Sequence, residues 1–179
     1  GMPVVHWLQQ NGALDTRLVA AHCVHINENE KQLLKNAGAG VVHNPSSNLK
    51  LASGIAPVQS MLLRGLNVGI GTDGAASNND LDMFEETRLA ALLAKGSSGD
   101  PTALPAQQAL AMATSQGARA LHLGDQVGSL EPGKRADLIV VDLDKSHNTP
   151  GFQRSLDNVY ARLIYAAKST DVAHVMVDG

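Results

Sequence analysis

Apolar positions along the chain fall into three successive units of one kind. Each has a short aliphatic run, a polar stretch, then a segment with helical spacing. The first run is 18–21, which leads into His22-Cys23-Val24-His25 and a helix predicted over 28–37. Asn27 with Glu30 three residues on is a capping pair, and Gly38 is a natural stop. The second run is 40–42, followed by His43-Asn44-Pro45-Ser46-Ser47-Asn48 and a helix that starts near Pro57 and ends at Gly65. The third is 67–70, followed by Gly71-Thr72-Asp73-Gly74, a loop over 75–80 and a helix over 81–94. In that helix Leu89, Leu92 and Leu93 make the apolar stripe, and Glu85, Glu86 and Arg88 face away from it. Aliphatic runs alternating with helices predict parallel strands, buried on both faces and joined by right-handed crossovers, in an α/β fold.

After Gly96-Ser97-Ser98-Gly99-Asp100 the pattern changes. Pro105 opens a helix to about 115, and 118–121 continue helical. A turn-rich stretch over 128–134 precedes a β segment at 136–143 and a loop over 144–156. The apolar segment 159–167 fits helix or strand, and 172–177 alternates as a strand with Val175 and Val177 on one face. Asp178-Gly179 is a pair of the kind that begins a hairpin turn. The expected division is 1–125 for the repeating α/β part and 126–179 for a smaller β-rich unit.

Composition narrows the classes. The chain has 179 residues, 44% apolar and 17% charged, which excludes a disordered tail. A chain this long buries roughly 70% of its unfolded surface, enough for a core without disulfides. No apolar run reaches about 18 residues, so no membrane-spanning helix is expected. The opening residues do not resemble a signal peptide, and Gly1 before Met2 reads as a cloning remnant. A net charge of -3 and 3% aromatics leave no footprint for nucleic acid or an anionic membrane. The single cysteine, Cys23, forms no internal disulfide, and the expected compartment is the reducing cytoplasm. Seven histidines are many for this length and point to site chemistry.

Ligands of parallel α/β folds bind beyond the carboxyl ends of the strands. His22 follows the first run, His43 and Asn44 the second, and Asp73 the third, so one rim receives His, His and Asp. An Asp there can bind a divalent metal and take a proton from the water the metal acidifies, and a neighbouring His can orient that water. Each could instead merely cap its strand, and His43 could equally bond loop backbone. Gly69 to Gly74 matches GxGxxG, yet no helix is expected to open on it and no acidic residue ends a following strand, which disfavours dinucleotide binding. His22-Cys23-Val24-His25 lacks the second ligand pair of a structural zinc site. Cys23 is expected as a small buried residue, and His25 either faces the rim or packs. His6, His122, His147 and His174 lie away from the rim and are expected as surface or satisfied structural residues.

Three segments, 21–25, 43–51 and 71–83, resemble the amidohydrolase superfamily, in the branch of 5-methylthioadenosine/S-adenosylhomocysteine deaminases and triazine hydrolases. The segment 128–138 is similar to the place where such chains leave the barrel for a small β-sandwich. The resemblance implies a metal-bearing (β/α)8 barrel, with the three units here as strands six, seven and eight. It implies Asp73 as metal ligand and proton shuttle and His22 as the histidine at the attacking water. Ser47, Asn48 and Ser77 would border the substrate, a nucleoside or triazine-like small molecule. The implied metal is divalent, zinc first and iron as the alternative.

The sequence also departs from that family. The family's metal site needs a His-x-His pair and a further His from earlier strands, and a Glu shortly after that His handles protons to the leaving group; no His-x-His occurs here. A catalytic zinc takes about three protein ligands, so this chain alone is not expected to hold one tightly. The expectation is therefore the C-terminal portion of a hydrolytic deaminase, inactive in isolation. Two alternatives stay open: a portion of a triazine hydrolase, and a non-catalytic unit that associates with itself or another chain through its open barrel edge.

Overall fold

The computed structural model describes residues 1–15, 17–149 and 155–179. After helix α1 (Val4–Gln10), three parallel strands lie in the order β1 (Val19–Ala21), β2 (Gly40–His43), β3 (Asn67–Ile70). Crossovers run through α2 (Glu28–Asn36), α3 (Pro45–Lys50) and α4 (Val58–Leu63). The expected α/β class is what the chain adopts. The Asn27–Glu30 capping box closes at the start of α2, with each residue's side chain bonded to the other's backbone N–H. Val41 and Val68 are fully buried in the strands, with Leu34 and Met61 from the crossover helices packed into the same core.

Beyond β3 come α5 (Ala75–Asn78), α6 (Met83–Ser98), α7 (Ala106–Ala113) and α8 (Ser115–Ala120). Two of these correct the sequence reading. The stretches 45–50 and 75–78 were expected as loop and are short helices, so a helix does open just after Gly74. In α6 the buried face is Glu86, Thr87, Ala90, Ala91 and Ala94, while Leu92 is 49% exposed. Small alanines let that face approach the sheet closely, and the bulkier leucines are left to its flanks. Glu86, expected outside, lies inside.

Close approach also explains two strand glycines. A Cβ at Gly40 would lie 1.8 Å from the carbonyl oxygen of Ala120, and one at Gly69 would lie 2.9 Å from the Cα of Gly117. The backbone of α8 thus rests directly on β2 and β3. Gly69 and Gly71 face protein atoms, which accounts for the GxGxxG pattern without a dinucleotide.

The remainder forms a second sheet, β4 (Leu138–Val141) antiparallel to β5 (Val172–Met176), with α9 (Leu156–Tyr165) between them in sequence. The ambiguous apolar segment is therefore helix, capped by the Ser155 hydroxyl. Within the expected loop 144–156, residues 146–148 make a 3-10 turn, and 150–154 lie outside the described residues. The Arg88 guanidinium on α6 donates to the carbonyls of Ile164 and Ala167, joining α6 to the end of α9. His147 bonds the buried Asp171 at 2.7 Å, and His122 bonds the Leu18 carbonyl, both structural roles as expected. Among the described residues no helix is long and apolar enough to cross a membrane.

Gly40→Ala should destabilise the fold by about 3 kcal/mol, at the upper end of ordinary overpacking, because the clash is with backbone. Gly96→Ala in α6 meets nothing within 4 Å and should stabilise by up to about 1 kcal/mol. Urea denaturation of both variants checks the pair, and equal effects would contradict this packing.

Candidate functional site

Strand register brings the rim together. Hydrogen bonding continues past the strands, from His22 N–H to the Val42 carbonyl at 2.8 Å and from Gly71 N–H to the His43 carbonyl at 3.0 Å. His22, His43 and Asp73 therefore emerge from adjacent strand ends. The chain turns sharply there. His22, Cys23 and Asp73 have φ of 67°, 49° and 63°, in the left-handed region that non-glycine residues avoid at a cost of about 1–2 kcal/mol each. Strain of this kind collects where a side chain must be aimed.

Asp73 is held by its neighbours. Its Oδ2 accepts from the Ser47 hydroxyl at 2.7 Å and the Ser77 hydroxyl at 2.8 Å. These two bonds, then the Gly74 N–H, hold the Asp73 carboxyl down at about 2, with a smaller contribution from His22. Asp73 is thus an anion throughout the neutral range. His22 Nδ1 donates to Asn48 Oδ1 at 2.8 Å, which fixes the tautomer and leaves Nε2 as the outward nitrogen. His22 Nε2 and Asp73 Oδ2 are 3.9 Å apart, too far for a hydrogen bond. Their side chains are 39% and 37% exposed, so both border the same open space.

His43 sits behind this pair, 1% exposed. Burial, with the neighbouring His22 second, pushes its imidazole down to about 4, so it is neutral at pH 7. His43 Nδ1, Asn44 Oδ1 and Asn48 Nδ2 are buried and have no protein partner among the described residues. Cys23 is half-buried against the core, and burial, then Glu30, pushes its thiol up to about 11. It is an unreactive small residue at neutral pH. His25 is exposed.

A carboxylate and an outward imidazole nitrogen suit zinc or another divalent cation. The serines on Oδ2 and the amide on Nδ1 are the outer partners that orient such ligands. Asp73 and His22 thus fit one side of a metal site. Among the described residues, no group of three His, Cys, Asp or Glu side chains gathers around one point, so further donors are needed for a complete shell.

The amidohydrolase family model matches residues 2–179. The chain belongs to the amidohydrolase family. It is 54% identical, over its whole length, to a 5-methylthioadenosine/S-adenosylhomocysteine deaminase of Moorella thermoacetica, of which it covers 41%. An adenosine deaminase from Xanthomonas campestris with bound zinc superposes with a TM-score of 0.91 at 46% identity, over 98% of this chain and 39% of that one. A zinc complex of atrazine chlorohydrolase from Arthrobacter aurescens superposes at 0.87 and 31% identity, over 100% of this chain and 39% of that one. The amidohydrolase chain described here spans about two-fifths of the length of these relatives.

Sequence reasoning named His22, Ser47, Asn48, Asp73 and Ser77, and the fold brings all five together. It did not assign the hydroxyls to Asp73 or the Asn48 amide to His22, because those contacts depend on α3 and α5. Replacing both Ser47 and Ser77 by Ala should raise the Asp73 carboxyl from about 2 towards its ordinary 3.8, measured by carbon-detected NMR titration. A depressed folded-state value stabilises the fold above the unfolded value, and that stability is lost as pH falls from about 4 to about 2. The double variant should show a smaller acid-dependent loss, because the Gly74 N–H and His22 remain.

Proposed function

We propose that this chain is the C-terminal part of a metal-dependent hydrolytic deaminase acting on adenine nucleosides of the 5-methylthioadenosine/S-adenosylhomocysteine type. The observation that carries this reading is 54% identity, over the whole of this chain, with 41% of the Moorella thermoacetica deaminase. In this reading β1, β2 and β3 are strands six to eight of a (β/α)8 barrel, with the barrel part at 1–125 and a partial β-sandwich at 126–179. The protein works in the reducing cytoplasm on a small-molecule substrate.

Asp73 is the metal ligand supplied by this chain, with His22 beside it. A divalent metal there, zinc by analogy with the zinc-bound relatives and iron as the alternative, supplies a water acidic enough to ionise near neutral pH. His22, held by Asn48, orients the attacking oxygen through Nε2 and keeps its single tautomer. Asp73 Oδ2 is occupied by two serine hydroxyls, so Oδ1 is the oxygen left to face the metal and its water. Asp73 would then take a proton from that water and pass it on as the proton shuttle of the site. Ser47, Asn48 and Ser77 fix these two groups at the edge of the substrate pocket. Asp73, even with His22 beside it, falls short of the roughly three protein ligands a catalytic zinc needs, so the isolated chain is inactive. Among the described residues β1 pairs on one side only, and that edge favours association with another copy or with a complementary chain.

A chimera tests the reading, with these 179 residues replacing the matching 41% of the Moorella thermoacetica protein. With zinc it should deaminate methylthioadenosine, and Asp73→Asn should lower kcat by about 10³-fold. Turnover of a chlorotriazine but not of methylthioadenosine would overturn the substrate assignment. Deaminase turnover by the isolated chain with stoichiometric zinc would overturn its proposed inactivity, and a monodisperse monomer in light scattering would contradict the association.

A further inference from the structure

We infer that Glu86 is a positioning residue that locks Ser47 and Ser77 onto Asp73. This inference rests on the reading of Asp73 as a reacting group. Glu86 is 1% exposed, on the long helix α6, and touches neither Asp73 nor His22 by hydrogen bond. Its Oε2 accepts from the backbone N–H of Ser46 at 3.2 Å, and its Oε1 accepts from the Asn78 side-chain amide at 2.7 Å. Ser46 precedes Ser47 and Asn78 follows Ser77, so one carboxyl group holds both of the short segments whose hydroxyls meet on Asp73 Oδ2.

Those segments have little stability of their own. Helix α3 has six residues and α5 has four, well under the length at which an isolated helix persists. Among the described residues neither has a side-chain N-cap bond. By contrast, α6 has sixteen residues, and Asp82 caps it through the N–H groups of Phe84 and Glu85. It is the rigid member of the three. An exposed tie also exists, from the Lys50 ammonium to the Ala76 carbonyl and the Asn79 side chain. Glu86 makes the buried one, where an unmade hydrogen bond costs most.

The polarity of the lock is fixed. Asn78 Oδ1 accepts from the Leu81 N–H at 2.7 Å, so its NH₂ faces Glu86. Glu86→Gln places an amide against a donor on one side or the other and breaks one bond. Adding Asn78→Asp reverses the pair. The new amide at 86 donates to the new carboxylate at 78, its carbonyl still accepts from Ser46 N–H, and the second oxygen at 78 still accepts from Leu81 N–H.

Amide hydrogen exchange of the 179-residue chain is the deciding measurement. In Glu86→Gln, exchange at Asn48 and Asn78, whose N–H groups bond the carbonyls of Asn44 and Gly74, should rise by about tenfold. Ala91 in α6 should stay within about threefold. The double variant should restore both amides. In the chimera, Glu86→Gln should lower kcat by about tenfold with KM nearly unchanged, and the double variant should recover it. Equal acceleration at Ala91 would mean general destabilisation and would overturn the inference, as would unchanged exchange or failure of the double variant to recover. If Glu86→Gln does not fold, recovery of folding and protection in the double variant supports the lock, and its absence overturns it. An inactive wild-type chimera would refute the deaminase reading alone, because the exchange measurement does not depend on turnover.

Discussion

The organisation of the rim depends on the pair of hydroxyl bonds received by one oxygen, Asp73 Oδ2. They come from two separate segments, Ser47 on α3 and Ser77 on α5, and they converge on a residue whose own backbone is strained at φ 63°. The strain aims the carboxyl group at the open rim, and the hydroxyls keep it there as an anion. Asn48, next to Ser47, uses the same short helix to orient His22 from the neighbouring strand. One six-residue helix thus serves both groups that border the open space, and its placement matters more than its intrinsic stability.

Packing beneath the rim explains how so short a helix can be placed. Gly40 and Gly69 let α8 rest on the sheet backbone, and the alanine face of α6 approaches from another direction. The strands are short, but their parallel register carries on into the turns, so His22 and Asp73 keep a fixed relation. Neutral, buried His43 fills the space behind them without adding a charge. The rim is then tied by hydrogen bonds on its protein side and open on the other.

Much of this arrangement was legible in the sequence. The aliphatic runs before His22, His43 and Asp73 predicted parallel strands, and strand ends in such folds share one rim. What escaped was local structure made by tertiary contacts. Pro45-Ser46-Ser47-Asn48 has weak helix propensity and no side-chain cap, so it read as loop until its neighbours were in place. Glu86 read as solvent-facing because the helical pattern was weighted to Leu89, Leu92 and Leu93, whereas small alanines set the buried face. The segment 159–167 lacked a decisive period, and its helix is marked by the Ser155 cap at the edge of the described residues.

The central claim is that Asp73 and His22 form one wall of a metal-dependent hydrolytic site. The most direct measurement is a crystal structure of the zinc-loaded chimera, with the metal located by anomalous scattering. The account predicts zinc about 2.0–2.2 Å from the Asp73 carboxylate, with Ser47 and Ser77 still bonded to Oδ2 and His22 still held by Asn48. Zinc bound elsewhere, with the Asp73 carboxyl turned away from it, would contradict the account.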